Sequence, residues 1–217
     1  MRQLTLAERP RGVLVVGAHP DDCEIGCGGT LLRLAERWPG LSVTVVVLTG
    51  TPERQQEARR AAALFLPGCD VTVHTFGAAH GLADGRLPAA WGTAKECLEE
   101  VAATTDVDLV LAPRRDDAHQ DHRLVAGLVP TVWRDHLVLG YEIPKYDGDL
   151  GRPNVYVPLS ADEVQEKVRL LEKAYPSQTG RDWWHEETFL ALARLRGMEC
   201  RARYAEAFTV TKATLAW

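Results

Sequence analysis

The chain has 217 residues, of which 46% are apolar, which is enough to bury one sizeable hydrophobic core. Its 25 Lys and Arg against 30 Asp and Glu give a formal net charge of -5, which disfavours nucleic acid or an anionic membrane as the main partner. The polar opening MRQLTLAERPRG lacks the apolar centre of a signal peptide, and no apolar run has the length of a membrane-spanning helix. The five cysteines contain no CxxC pair. We therefore expect a cytoplasmic globular protein.

Short apolar runs alternate with amphipathic stretches along the first two thirds of the chain. The runs are nearly continuous in apolar content, as in parallel strands covered on both faces. The alternation predicts an α/β fold with a doubly wound, mostly parallel, Rossmann-like sheet and helices on both faces. The predicted strands are GVLVVGA (12–18), LSVTVVVLTG (41–50), DVTVHTF (70–76), VDLVLAP (107–113) and HLVLGYEIP (136–144). The predicted helices between them are 30–38, 52–66, 91–105 and 122–135, the second capped by Thr51.

After Pro144 the pattern changes to a stretch rich in turn formers. It contains one short strand-like piece at 154–158. Ser160 and Glu163 form a capping-box pattern that predicts the start of a helix. A last helix is predicted at about 185–196, and YAEAFTV (204–210) is predicted to be an edge strand. We predict one domain over residues 1–217, with an irregular substrate-side segment at about 144–158.

The stretch AHPDDCEIGCGGT (18–30) directly follows the first predicted strand. His19, Asp21 and Asp22 crowd two negative charges and an imidazole into four positions, which is costly unless something positive lies among them. The glycines of GCGGT would allow a tight turn into a helix. Two alternatives are a dinucleotide-binding turn and a simple helix cap. The segment lacks the GxGxxG pattern, however, and one cap does not need two aspartates and a histidine.

A second polar cluster, RRDDAHQDHR (114–123), follows the fourth predicted strand. In the strand order 3-2-1-4-5 the first and fourth strands are neighbours, so the two clusters should meet at the switch point where open α/β sheets bind ligands. Three ligands of histidine and carboxylate type with an open position suit a hydrolytic zinc site. The alternative is a solvated loop that caps the next helix, which explains the aspartates but not the histidines.

Taken together, HPDD (19–22) and HQDH (119–122) resemble the paired signatures of the PIG-L/LmbE-like N-deacetylases. That family includes the deacetylases of GlcNAc-phosphatidylinositol and of mycothiol and bacillithiol biosynthesis. The segments GCGGTL (26–31), RQQEA (54–58), RLRG (194–197) and YAEAF (204–208) also resemble the family pattern, so the likeness covers most of the chain. Cys23 stands where many members have glutamate, with Glu24 one place later.

The resemblance implies zinc-dependent hydrolysis of an N-acetyl amide on an N-acetylglucosamine-type conjugate, which releases acetate and a free amine. Its metal ligands map to His19, Asp22 and His122, for Zn²⁺ or another divalent metal such as Fe²⁺. Asp21 would be the general base for the attacking water. A protonated His119, paired with Asp121, would stabilise the oxyanion. Either Asp21 or His119 could protonate the leaving amine.

On the substrate side the candidates are a helix-start arginine and the turn after the fifth strand: Arg54, Tyr146, Asp147 and Asp149. Their alternatives are an ion pair of Arg54 with Glu53 or Glu57, and plain turn residues without a function. The histidines outside the motifs, among them His136, are expected at the surface or in packing.

The expected partner is a small N-acetylated sugar conjugate, with no nucleic acid and no membrane insertion. By analogy with bacterial relatives, a homo-oligomer is also expected. The rival functions are hydrolysis of another acyl amide in antibiotic or amino-sugar biosynthesis, and a non-catalytic sugar- or nucleotide-binding module.

Overall fold

The computed structural model describes residues 3, 5, 6 and 8–214. Within them, seven strands form one sheet in the order β3-β2-β1-β4-β5-β7-β6. The first five strands are parallel to one another, as predicted, and β7 pairs antiparallel with both β5 and β6. The strands are β1 (Gly12–Gly17), β2 (Ser42–Val47), β3 (Asp70–Thr75), β4 (Leu109–Pro113), β5 (Leu137–Tyr141), β6 (Val155–Leu159) and β7 (Tyr204–Thr209).

Helices cover both faces of the sheet and divide the core into two. Val13 and Val15 of β1 pack into one core, and Leu14 and Val16 pack into the other, which explains why this strand is apolar throughout. The first core is closed by α1 (Asp22–Arg37), α2 (Pro52–Phe65), α5 (Ala161–Ala174) and α6 (Glu186–Cys200), and the second by α3 (Trp91–Ala102) and α4 (Gln120–Val132). No helix in the described part of the chain is both long and apolar enough to cross a membrane.

Two helix starts confirm the capping predictions. The Thr51 side chain accepts a hydrogen bond from the amide of Arg54 at the start of α2. At the start of α5, Ser160 and Glu163 form both bonds of the capping box. These side chains satisfy amides that have no partner inside the helix.

The expectation that the last strand lies at the edge of the sheet is wrong. β7 lies between β5 and β6, and β6 is the outer strand. Pro158 gives a physical reason, because it has no amide to donate and so suits an edge strand.

The expected tight turn at the glycines is also wrong, since α1 begins at Asp22 and the glycines lie inside the helix. Their role is close packing. A Cβ at Gly26 would collide with the Tyr141 ring of β5. Those at Gly28 and Gly29 would lie 2.7 and 2.5 Å from Phe65 and Leu159, respectively.

A buried ion pair supports the interruption of α1 at Cys27, whose φ of -142° is not helical. Lys167 donates to the carbonyl of Ile25 at 2.6 Å and pairs with Glu206 at 2.7 Å. The carboxylate of Glu206 accepts the amides of Gly29 and Thr30, so it caps the second part of the helix. The first turn of α1 is thereby fixed against α5 and β7.

Candidate functional site

The end of β1 and the start of α4 bring three polar side chains together. Nδ1 of His19 lies 3.2 Å from Nε2 of His122 and 3.6 Å from Oδ2 of Asp22, whose Oδ1 is 3.2 Å from the same Nε2. A tetrahedral zinc ion with nitrogen and oxygen ligands at about 2.0–2.1 Å separates its ligand atoms by about 3.3 Å. The two 3.2 Å spacings, from His19 to His122 and from His122 to Asp22, are close to this value, so these side chains offer ligand atoms for a divalent ion.

Backbone amides hold the carboxylate of Asp22 in place. Its Oδ2 accepts hydrogen bonds from the amides of Ala18 at 2.8 Å and His19 at 2.9 Å. Burial opposes ionisation, but the charges of His122 and His19 hold the pKa of Asp22 well below its usual range. The same carboxylate raises the pKa of His122 to about 9 against the effect of burial. The three groups thus form a charged cluster in which Asp22 and His122 are buried and His19 is half-buried.

His119 adds a third imidazole to this cluster. Its ring centroid lies 4.8 Å from that of His19 and 4.7 Å from that of His122. Ring nitrogens of the three histidines lie within 4.8 Å of one another, as do ligand atoms of the group His19, Asp84 and Asp121. The surroundings of His19 therefore offer more than one combination of ligand atoms.

The backbone of Asp21 is left-handed, with a φ of 110°, which is unusual for a residue with a Cβ. Although it precedes α1, its side chain makes no capping hydrogen bond, which argues against the helix-cap alternative. Instead, its Oδ2 accepts from Nη2 of Arg54 at 2.6 Å. Burial raises the pKa of Asp21 to about 7, although the Arg54 guanidinium acts in the opposite direction.

Arg54 lies across the start of α2 and reaches three partners besides Asp21. It forms an ion pair with Glu57 at 2.6 Å, which was the alternative to a substrate-binding role, and it also donates to the Ser177 hydroxyl and the Pro20 carbonyl. Its guanidinium carbon lies 5.2 Å from the centroid of the Tyr175 ring. These contacts fix Arg54 beside Asp21.

The expected side-chain pair between Asp121 and His119 is not formed. The buried carboxylate of Asp121 lies 3.1 Å from Nε2 of His19 and accepts the amides of Gly85 at 2.7 Å and Leu87 at 3.1 Å. His119 is the N-cap of α4, and its Nδ1 accepts the backbone amide of Asp121. At a helix start, the amide two residues on faces the cap while its side chain points elsewhere. Burial and the nearby His122 and His19 lower the pKa of His119, so it is neutral near pH 7.

The predicted turn after β5 divides into exposed and paired residues. Tyr146 and Asp147 are exposed, and within the described residues no hydrogen bond or ion pair joins either of them to His19, Asp22 or His122. Asp149 is paired with Lys145 at 2.9 Å and with Arg114 at 3.0 Å, and it accepts the amide of Ala118. Asp149 thus joins the turn to the loop before α4.

Sequence reasoning missed the groups that contact the outer nitrogens of the two metal-site histidines. Asp117 forms an ion pair with His122, with its Oδ2 3.1 Å from Nδ1 of the ring, and its other oxygen is 3.0 Å from Lys145. Asp84, on the loop between β3 and α3, lies 3.1 Å from Nε2 of His19. Asp117 belonged to a recognised polar cluster, whereas the loop around Asp84 carries only turn signals.

The chain is similar to known deacetylases. Residues 14–133 match the model of the family PIG-L, described as GlcNAc-PI de-N-acetylase. The chain is 33% identical to the uncharacterized deacetylase YaiS of Escherichia coli K12 over 183 residues, covering 78% of this chain and 94% of YaiS. It is 28% identical to the diacetylchitobiose deacetylase of Thermococcus kodakarensis over 227 residues, covering 89% of this chain and 80% of that protein.

A solved structure shares the fold. The N,N'-diacetylchitobiose deacetylase of Pyrococcus horikoshii, complexed with its inhibitor MPG, superposes with a TM-score of 0.72 at 22% identity, covering 93% of this chain and 84% of that one. The matched segment 14–133 contains both polar clusters of the site. The chain therefore belongs to the PIG-L family.

Proposed function

We propose that this protein is a zinc-dependent N-deacetylase that hydrolyses the N-acetyl amide of an N-acetylglucosamine-type conjugate. The observation that carries the proposal is the convergence of His19, Asp22 and His122 beside the Asp21 carboxylate. Membership of the PIG-L family and the names of the two relatives support the reaction class.

Asp22 is a better third ligand than His119. Its Oδ1 accepts no backbone hydrogen bond from the residues that the structure describes and lies 3.2 Å from Nε2 of His122, and its charge offsets that of a divalent ion. The Nδ1 of His119 is already occupied by the amide of Asp121. Asp117 and Asp121, which contact the outer nitrogens of His122 and His19, would orient these two rings.

The chemistry that zinc supplies when bound is Lewis-acid polarisation and activation of water. Asp21 takes the proton from the attacking water, because its carboxylate lies beside the ligand set without belonging to it. Arg54 orients this base through their 2.6 Å contact. Asp21 then returns the proton to the leaving amine.

His119 acts as a neutral hydrogen-bond donor in this proposal. Since its Nδ1 accepts a backbone amide, the proton of the neutral ring resides on Nε2. That N–H is available to the developing oxyanion, which is the role the family resemblance implies for a charged imidazole. The contribution of Asp121 to His119 is its backbone amide, which fixes this tautomer of the imidazole.

The exposed turn after β5 is the proposed source of substrate preference, because loops on a rigid sheet commonly carry specificity. Tyr146 and Asp147 are free to meet a sugar, whereas Asp149 and Arg54 would contribute mainly by holding their neighbours. Hydrolysis of another acyl amide remains the alternative function for the same site. One domain over 1–217, a cytoplasmic location and a homo-oligomer remain predictions from the sequence.

The test is an acetate-release assay combined with metal analysis. Purified protein should carry about one zinc per chain, release acetate from N-acetylglucosamine or diacetylchitobiose, lose this activity on chelation and regain it with zinc. Full turnover by metal-stripped protein would exclude the mechanism. Absence of both metal and turnover would favour a binding module. Release of a different acid from other N-acyl sugars would favour hydrolysis of another acyl amide.

A further inference from the structure

A cavity of about 280 Å³ lies beside the later turns of α4, where this helix meets β4, β5 and the end of β7. Helix α4 contributes Ala126, Pro130 and Trp133 to it, whereas His122 of the metal site lies in the first turn of the same helix. Pro130 is eight residues beyond His122, or about 12 Å along the helix axis. The cavity is therefore separate from the site described above.

In the described part of the chain, every charged side chain that lines this cavity is basic. Arg114, Arg115 and Lys212 contribute to its wall together with His136, and none of the described lining residues is Asp or Glu. This is unexpected in a chain with a formal net charge of -5. The wall therefore combines cationic groups with the apolar surfaces of Trp133 and Pro130.

Two buried nitrogens of the lining residues have no hydrogen-bond partner among residues 3, 5, 6 and 8–214. They are Nε of Arg114 and Nδ1 of His136. The Arg114 side chain is only 3% exposed, and its two terminal nitrogens are already paired with Asp116 and Asp149. Buried polar groups are normally hydrogen-bonded, so unpaired groups at one cavity call for an acceptor that enters it.

We propose that this cavity binds a small organic anion, with a carboxylate or phosphate facing the basic residues and an apolar body against Trp133. Its volume is close to the lower end of the range for small-molecule sites, roughly 300–1,000 Å³. Arg115 and Lys212 supply the charge at the entrance, where Lys212 also donates to the carbonyl of Arg134. The inference does not depend on the proposed deacetylase activity, because it uses none of the metal-site residues.

The probes are inorganic phosphate, phenyl phosphate and benzoate, with neutral benzyl alcohol as the control, titrated calorimetrically into the zinc-loaded protein. The two aromatic anions should bind more tightly than inorganic phosphate, and benzyl alcohol should not bind. The tighter of phenyl phosphate and benzoate identifies the preferred acidic group.

Variants locate the binding. Arg115→Ala should weaken the aromatic anions by about tenfold, since a charge-assisted hydrogen bond is lost. Thr211→Trp should block the cavity without removing a charge. The matched control is Arg169→Ala on α5, which removes an equal charge from an exposed pair with Glu166 and should have no effect.

Three results would overturn the proposal. One is failure of all three anions to bind. Another is equal weakening by Arg115→Ala and Arg169→Ala, which would indicate a general charge effect. The last is binding that disappears in Asp22→Ala but persists in Arg115→Ala and Thr211→Trp, which would place the anion at the metal site.

Discussion

The backbone between Asp21 and Asp22 directs their adjacent carboxylates to different partners. Asp22 is the first residue of α1, and the amides of Ala18 and His19 hold its carboxylate beside the histidines. The left-handed conformation of Asp21 directs its side chain towards Arg54 instead. Such backbone strain is typical of functional sites, where the surrounding structure maintains it. The geometry thus separates a ligand from a base.

This separation predicts opposite effects of substituting the two aspartates. Asp22→Ala should lose zinc, because it removes a ligand whose position two amides fix. Asp21→Asn should keep its zinc but lose about 100- to 10,000-fold in kcat, because an amide cannot take the proton. Zinc content by atomic absorption and initial rates of acetate release test both expectations.

Asp70→Asn is the control for these substitutions, since it neutralises an exposed carboxylate at the start of β3, at the edge of the sheet opposite the site. It should keep both its zinc and its kcat. Equal loss of zinc in both aspartate variants would mean that the two carboxylates share the ion. Near wild-type turnover in Asp21→Asn would require another base.

At the scale of elements, the glycines of α1 set how closely the helix approaches the sheet. Gly26 faces the ring of Tyr141, which is fully buried and donates a hydrogen bond to the carbonyl of Val16 at 2.7 Å. This ring cannot move without losing that bond. Because Asp22 lies one turn before Gly26, the close approach also positions the metal ligand.

Gly26→Ala should therefore destabilise the fold by about 1–3 kcal/mol, the usual cost of overpacking a core. The matched substitution Gly127→Ala in α4 has the opposite expectation. No atom of the described residues lies within 4 Å of a Cβ there, and the position is exposed, so removing the flexibility of glycine should stabilise by about 0.5–1 kcal/mol. Urea denaturation measures both, and equal effects of the two substitutions would refute the packing argument.

Asp149 predicts a pH dependence of stability. Burial opposes its ionisation, but Lys145 and the amide of Ala118 lower its pKa. A carboxylate with a lowered folded-state pKa contributes stability above its unfolded pKa, near 3.9, and loses it as the pH falls through the folded value. Asp149→Asn should thus lower the free energy of unfolding by about 1–3 kcal/mol at pH 7.

The difference between wild type and Asp149→Asn should shrink as the pH falls below about 4. Urea melts of the two proteins between neutral and acidic pH, with Asp147→Asn as the exposed control, measure this difference. A difference that stays constant with pH would show that the amide disrupts packing rather than removing an ion pair.

Strand order and the meeting of the two clusters were predictable, because apolar runs define parallel strands whose ends share one edge of the sheet. The contacts that surround the two metal-site histidines, His19 and His122, were not predictable. Asp84 reaches His19 from a loop that only tertiary packing positions, and Lys145 reaches Asp117 across a turn. The partner of Asp121 was also misassigned, because the neighbours of a side chain at a helix start depend on its direction. Spacing in the sequence does not encode that direction.

For the whole molecule, the proposed ion would join the two layers of helices. His19 and Asp22 belong to the β1–α1 connection, and α1 packs into one core. His122 belongs to α4, which packs into the other core on the opposite face of the sheet. The unfolded chain separates these ligands by about a hundred residues and cannot present them together. Zinc should therefore bind the folded state far more tightly.

A ligand of this kind stabilises the folded state by about 2.7 kcal/mol at a hundredfold excess over its Kd. For a chain of this size, each kcal/mol raises the Tm by about 2–4 °C. We therefore expect chelation to lower the Tm by about 5–10 °C and added zinc to restore it, as measured by calorimetry. Asp22→Ala should show little response to zinc in the range that saturates wild type, whereas Asp147→Asn should respond as wild type does. An unchanged Tm after chelation of zinc-loaded wild type would mean that the ion does not join the two layers. An equal rise in Tm on adding zinc to Asp22→Ala would place the stabilising ion elsewhere.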